Sequence, residues 1–196
     1  LLDLLLSKNN FDRQRARRVL AERDAEGVTR DLTAWSARQS VEQAALESLW
    51  MHQALAARQP EPPGGAISEA ARRTLDQVLN ASDGRVRAAG VRVLRHWLPA
   101  LQDADNRLAR LIRDPHPRVR AEVLRAVAAQ GTSGAAALAL TVVDQELDPF
   151  LEYAAWLTIN DLAEPWAASV RSGAWTIPGR EKQMQFAMSS IRAAMA

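Results

Sequence analysis

Apolar positions along this chain recur three and four residues apart, and no segment sustains the alternation of a strand. Helices are therefore predicted throughout. Leu1 to Leu6 reads as the end of a helix closed by the turn cluster Ser7-Lys8-Asn9-Asn10. Asp12 is placed to cap a second helix reaching about Glu22. Further helices are predicted over Val28 to Ala37 and Val41 to Ala57. In the latter, Leu46, Leu49, Trp50, Gln53, Ala54 and Ala57 share one face, with Gln53 read as a satisfied core amide in preference to a partner contact. Ser68 is the expected cap of a helix to Asn80, and Ala135 to Val143 forms another. Asp148-Pro149 is a strong helix start, opening Phe150 to Leu162 with Leu151, Ala154, Ala155, Thr158, Ile159 and Leu162 buried. Glu164-Pro165 starts a short helix to Arg171. Arg180 to Met195 closes the chain, with Met184, Ala187, Met188 and Ile191 on its packed side as core filler.

One pattern repeats. Leu75 to Ala88 lies without gaps over Leu108 to Ala121, a 33-residue period, each copy reading as apolar helix, polar turn, then Arg-Val-Arg-Ala opening a second helix. In that second helix Val86, Ala89, Gly90, Val93, Leu94 and Trp97 form one stripe, matched by Val119, Val123, Ala126 and Val127. Arg87 and Arg120 fall at the stripe's edge. They are read as a structural ladder between repeats, bonded to backbone carbonyls or an acid such as Asp114, in preference to a row that binds a ligand. Arg15, in Arg15-Ala16 followed by Val19, is matched to Arg87 and makes the first repeat. The expected organisation is a single repeat domain over 1–196, with repeats near 1–25, 28–58, 68–99, 105–130 and 133–163, then C-terminal helices over 164–196. An insertion at 59–67 carries Pro60, Pro62 and Pro63. Such insertions are often found on the binding face of a repeat array, although a neutral loop or linker explains this one equally well.

Composition narrows the picture. No apolar run approaches the ~18 residues of a membrane span. The start has no Met, basic region or cleavage-like site, so it is not read as a signal peptide. It reads as a chain entered mid-helix, and a fragment of something longer is expected. There are no cysteines, which excludes disulfides, thiolate metal sites and covalent haem within these residues. Net charge is only +2, but its distribution is uneven: Asp83 to Ala126 holds ten Arg against five acids, and Val127 to Val170 six acids with no Lys or Arg. Solvated faces of opposite sign account for this, and electrostatic steering of a partner is the alternative.

Chemistry is sparse. His52, His96 and His116 lie in different repeats without a second ligand at metal spacing, and Asp144, Glu146 and Asp148 lack the Gly and distal Glu of a calcium loop. No phosphate loop, nucleophile elbow or paired-carboxylate motif is found, so no catalytic residue, metal or cofactor is assigned. Trp50, Trp97 and Trp156 are expected in the core between repeats. Trp35 and Trp175 have less periodic support and are candidate exposed anchors for a partner. The residues expected to face a protein partner are Arg85, Arg92, Arg118 and Arg125, together with the Pro60–Gly65 loop. The alternative is nucleic-acid binding through phosphate contacts from the same arginines, opposed by the near-neutral charge and the acidic block.

Asp-Pro-His-Pro-Arg-Val-Arg-Ala at Asp114 to Ala121, followed by an apolar helix, resembles a HEAT repeat of the short bacterial kind. The resemblance implies a right-handed α-α superhelix, a HEAT-type solenoid of about five helix pairs, two clear and three degenerate. Four further stretches resemble the HEAT region of large planctomycete and verrucomicrobial proteins described as membrane-bound dehydrogenases or haem-binding proteins. They are Phe11-Asp12-Arg13 with Ala16 to Arg23, Ala45 to Leu55, Val86 to Leu94, and Tyr153 to Thr158 running on to Asp161, Leu162 and Trp166. In that family a propeller-like sugar-dehydrogenase domain precedes the array and a c-type cytochrome domain follows. Neither lies within these residues, so the resemblance implies a non-catalytic scaffold joining or orienting domains of an exported, periplasmic redox protein. Short HEAT units also occur in lyases and chaperones acting on a bound chromophore, a reading that no acid–base pair supports here.

Overall fold

The computed structural model describes residues 1–58 and 67–191. Among them the protein is all-α, with eleven helices, three short 3-10 turns and no strand. It divides into two compact units, Leu1–Gln102 and a second beginning at Asp103. The insertion with Pro60, Pro62 and Pro63 lies outside the described residues.

The first unit starts with a 3-10 turn, Leu2–Leu6, where the apolar run predicts the end of a helix. Helices α1 (Asn10–Ala21), α2 (Ala25–Ser36), α3 (Glu42–Ala56), α4 (Glu69–Leu79) and α5 (Gly84–Trp97) follow. Two starts differ from expectation because a better cap lies upstream. Asn9, not Asp12, caps α1, its carboxamide oxygen accepting the Phe11 N–H at 2.9 Å, and Asp12 instead accepts the Ser7 hydroxyl. Asp24 accepts the Gly27 N–H at 2.7 Å and starts α2 three residues before Val28. Ser68 caps α4 as expected.

Helix α3 is the centre of this unit. The first 3-10 turn and α1, α2, α4 and α5 all pack on it. Ala44 to Leu49, Met51, His52 and Leu55 are consequently buried, in place of the single face predicted. Gln53 and Trp50 are only half-buried and Ala57 is exposed. Small residues at Ala44, Ala45 and Ser48 let neighbours approach from several sides. Each fully buried leucine of this core, such as Leu5, Leu49 or Leu75, contributes about 1.5–3 kcal/mol of apolar transfer. Helices α4 and α5 close tightly over Gly90, where a Cβ would lie 2.7 Å from Val78 Cγ1 and 3.1 Å from Leu79 Cδ2.

The second unit comprises α6 (Ala104–Leu111), α7 (Pro117–Ala128), α8 (Ser133–Leu140) with a 3-10 turn Thr141–Asp144, α9 (Pro149–Asp161), α10 (Ala163–Arg171) and α11 (Glu181–Ile191). Asp148 caps α9 through the Leu151 N–H at 2.8 Å, as its Asp-Pro start predicts. Helix α9 lies against α7, α8, α10 and α11. Helix α11 is rotated from the expected face: Gln183, Ala187, Ser190 and Ile191 are buried, and Met188 is 50% exposed. The rotation brings the Gln183 amide onto the Asp144 carboxylate at 2.9 Å.

At its apolar positions burial follows the 33-residue period. Leu75 and Leu108, Val78 and Leu111, Leu79 and Ile112, Val86 and Val119, Leu94 and Val127 are all buried pairs.

Candidate functional site

The repeated arginines make one turn chemistry three times. Asn9, Asp83 and His116 are equivalent N-caps, each accepting the backbone N–H two residues on, at 2.9, 2.8 and 3.2 Å. Four residues after each cap stands an arginine whose guanidinium folds back to the carbonyl two residues before the cap. Arg13 reaches Ser7 O at 2.6 Å, Arg87 reaches Ala81 O at 2.8 Å and Arg120 reaches Asp114 O at 3.2 Å. These carbonyls follow the preceding helix or turn, beyond the reach of its own backbone bonds. The fixed fork of arginine suits the task, since its stem packs along the stripe edge as the head bonds oxygen.

The bonds to backbone carbonyls expected of Arg87 and Arg120 are made within each helix–turn–helix, and near the start of the chain Arg13 rather than Arg15 makes the equivalent bond. Arg15 is exposed, with no side-chain bond to a described residue, and Arg13 holds the equivalent position. Matching Arg15-Ala16 to Arg87-Ala88 places the register two residues too late, whereas the Asn9 cap sets it at Arg13. Asp114 joins through its backbone carbonyl, while its carboxylate accepts the His116 N–H at 2.8 Å. Only Arg120 is itself buried. It also donates to Gln145 Oε1 at 3.1 Å and Glu146 O at 2.9 Å, tying the α6–α7 turn to the loop before α9. In the first unit Glu42 makes the corresponding tie, its carboxylate accepting the N–H groups of Asp83 and Ser82. Those two bonds hold its pKa below the usual carboxylate value.

The four arginines expected to face a partner are all exposed. Arg85 and Arg92 stand two turns apart on one face of α5, and Arg118 and Arg125 do the same on α7. Arg85 clasps Asp83 at 2.8 Å, which raises its already high pKa, and Arg125 lies 3.6 Å from Glu122.

Reasoning from sequence missed an internal ion pair. Glu47, fully buried in α3, takes a two-pronged bond from Arg17 at 2.7 and 2.8 Å and a third from Gln43 at 2.9 Å. The Arg17 guanidinium also lies 4.8 Å from the Trp50 ring. A glutamate amid Ala44 to Leu49 was the available signal.

The tryptophans exchange roles. Trp35 is buried and donates to Asp3 at 2.8 Å, and Trp175 is buried edge-on against Trp166 at 5.7 Å, so neither is an exposed anchor. Trp97 is core as expected. Trp156 is 38% exposed on α9 and stacks on Tyr153 at 5.8 Å.

Two clefts of about 450 Å³ open in the first unit. One is lined by Asp3, Arg23, Asp24, Asp31 and Arg38, and its charges of both signs offset one another. The other is lined by Glu26, Arg30, His52, Ser68 and Trp97; burial pushes the His52 pKa down. Among the described residues no group of three or more His, Cys, Asp or Glu could hold a metal ion, and no helix is long and apolar enough to cross a membrane. Comparison of the chain with protein-family models and with curated proteins returned no match.

Proposed function

We propose that the chain is a non-catalytic HEAT-type array, a right-handed superhelix of about five helix pairs, that serves as a scaffold and protein-interaction module. The observation that carries this reading is the turn built three times, with cap, arginine and carbonyl in the same register at Asn9–Arg13, Asp83–Arg87 and His116–Arg120. A helix pair whose turn is fixed by its own side chains can be stacked in series, and the exposed faces left over are then available to partners. The partner-facing residues of the proposal are Arg85, Arg92, Arg118 and Arg125, with the Pro60–Gly65 loop. The sequence resemblance adds the proposal that the array joins or orients domains of a larger periplasmic redox protein, such as a dehydrogenase with a cytochrome.

Nucleic-acid binding takes second place because Asp83 sits beside Arg85 and Glu122 beside Arg125. The test is affinity isolation from the native source with the wild-type chain and an R92E/R125E variant as baits, together with intact mass and visible absorbance of the native protein. A stoichiometric protein partner lost at least tenfold from the variant supports the scaffold. A larger native chain with haem absorption supports the redox context. Retention of DNA or RNA that falls steeply with salt, without a protein partner, overturns the reading in favour of the nucleic-acid surface.

A further inference from the structure

Helix α9 is apolar on both sides and packed on only one. Leu151, Ala155, Thr158 and Ile159 are buried, and the opposite side leaves Phe150 87%, Tyr153 63%, Trp156 38% and Leu157 45% exposed. At about 100° per residue, these four fall within roughly 60° of the Tyr153 direction. Exposed Glu152 and Asp161 flank the strip at about 100° on one side and 80° on the other. No lysine or arginine occurs anywhere from Val127 to Val170. A helix apolar all round belongs in an interior, and a contiguous exposed aromatic strip marks an interaction surface.

We propose that the outer face of α9 docks a basic amphipathic segment of a partner protein. This deepens the scaffold reading and rests on it. Apolar side chains of the segment would cover Phe150, Tyr153, Trp156 and Leu157. Its arginine or lysine heads would reach Glu152 and Asp161. The stacked pair Tyr153–Trp156, 5.8 Å between centroids and 18° between planes, also offers a flat π surface to a cation. Charge selects this occupant. Anionic lipid and nucleic acid are repelled by the acidic rims. A second copy docking its own α9 would set the same carboxylates against one another across a two-fold axis.

The test starts from a displayed library of random 16-residue peptides selected on the full chain. Recovered peptides are then synthesised with a fluorophore and titrated by anisotropy. Enrichment of arginine and lysine interleaved with leucine or aromatic residues is expected. Trp156→Ala or Leu157→Ser should weaken binding about tenfold or more, and E152K/D161K should weaken it while flattening its salt dependence. Phe11→Ser removes an equally exposed aromatic, 69% exposed in α1, and should change nothing. Circular dichroism identifies any variant that fails to fold, and Tyr153→Ala then replaces it. Acidic peptides, or a selection without any peptide sensitive to α9 substitution, overturn the inference. So does a concentration-dependent dimer abolished by Trp156→Ala, which would assign the face to a second copy. Peptides lost with R92E/R125E but indifferent to Trp156→Ala overturn the α9 assignment and leave the scaffold reading standing.

Discussion

Gly90→Ala is expected to destabilise α5, against the ordinary preference of helices for alanine. On propensity alone the change stabilises a helix interior by about 1 kcal/mol. At this position the new Cβ would lie 2.7 Å from Val78 Cγ1 and 3.1 Å from Leu79 Cδ2. Val78 is β-branched, fully buried and held in one rotamer by its own helix. It cannot swing away, so α4 and α5 must separate slightly at an overpacking cost of about 1–3 kcal/mol. The net is a loss of about 1 kcal/mol, or roughly fivefold faster amide exchange along α5. Hydrogen exchange by mass spectrometry suits the measurement, because six tryptophans overlap in fluorescence and peptides from α4 and α5 separate. Val78→Ala opens a cavity and by itself costs on the order of 2 kcal/mol. In that background Gly90→Ala meets only the movable tip of Leu79 at 3.1 Å and should protect α5, a coupling of about 2 kcal/mol between the two sites. Gly134→Ala, with nothing nearer its Cβ than Thr132 Oγ1 at 3.9 Å, is the open-space control and should be neutral or stabilising. Equal effects of Gly90→Ala in both backgrounds, or slower exchange in the single variant, would refute the close approach of α4 and α5.

Three further outcomes are expected. Arg120→Met removes the bonds to Asp114 O, Gln145 Oε1 and Glu146 O and should lower stability by about 2–3 kcal/mol in urea unfolding; Arg13→Met should cost less and exposed Arg15→Ala close to nothing, and equal losses at Arg13 and Arg15 would remove the shared register. Arg17→Met leaves the Glu47 carboxylate buried without its cation, at about 3–5 kcal/mol, whereas the double change R17M/E47L should recover most of that loss. His52, beside Glu26 and Arg30 in its cleft, has its pKa depressed by burial. The unfolded chain therefore binds more protons, so stability is full above about pH 6.5 and declines as pH falls toward the folded value; a urea midpoint that falls equally in His52→Gln over this range would place the pH dependence elsewhere.

Helix positions were legible wherever one face carries the apolar residues. The period from Leu75 to Ala128 is matched by burial at its apolar positions, from Leu75 and Leu108 to Leu94 and Val127, although Arg120 and Glu122 are buried where Arg87 and Ala89 are half-buried. Periodicity could not reveal how many neighbours a helix has. Helix α3 is buried almost all round because four helices and a turn converge on it. Helix α9, equally apolar, is left half bare. The same limit explains the tryptophans, since the burial of Trp35 and Trp175 depends on Asp3 and Trp166, residues that no local spacing connects to them. The register around Asn9–Arg13 is hidden for another reason. Arg13, Arg15, Arg17 and Arg18 crowd one segment, and only the Asn9 cap distinguishes the arginine that closes the turn.

The scaffold reading is met most directly by a photo-cross-linker placed in turn at Arg92, Arg125 and Trp156 in the native source, with buried Leu94 as the control position. Protein adducts of a few discrete masses from the exposed positions, absent from Leu94, are expected. Adducts to nucleic acid alone, or none above the Leu94 background, would contradict it.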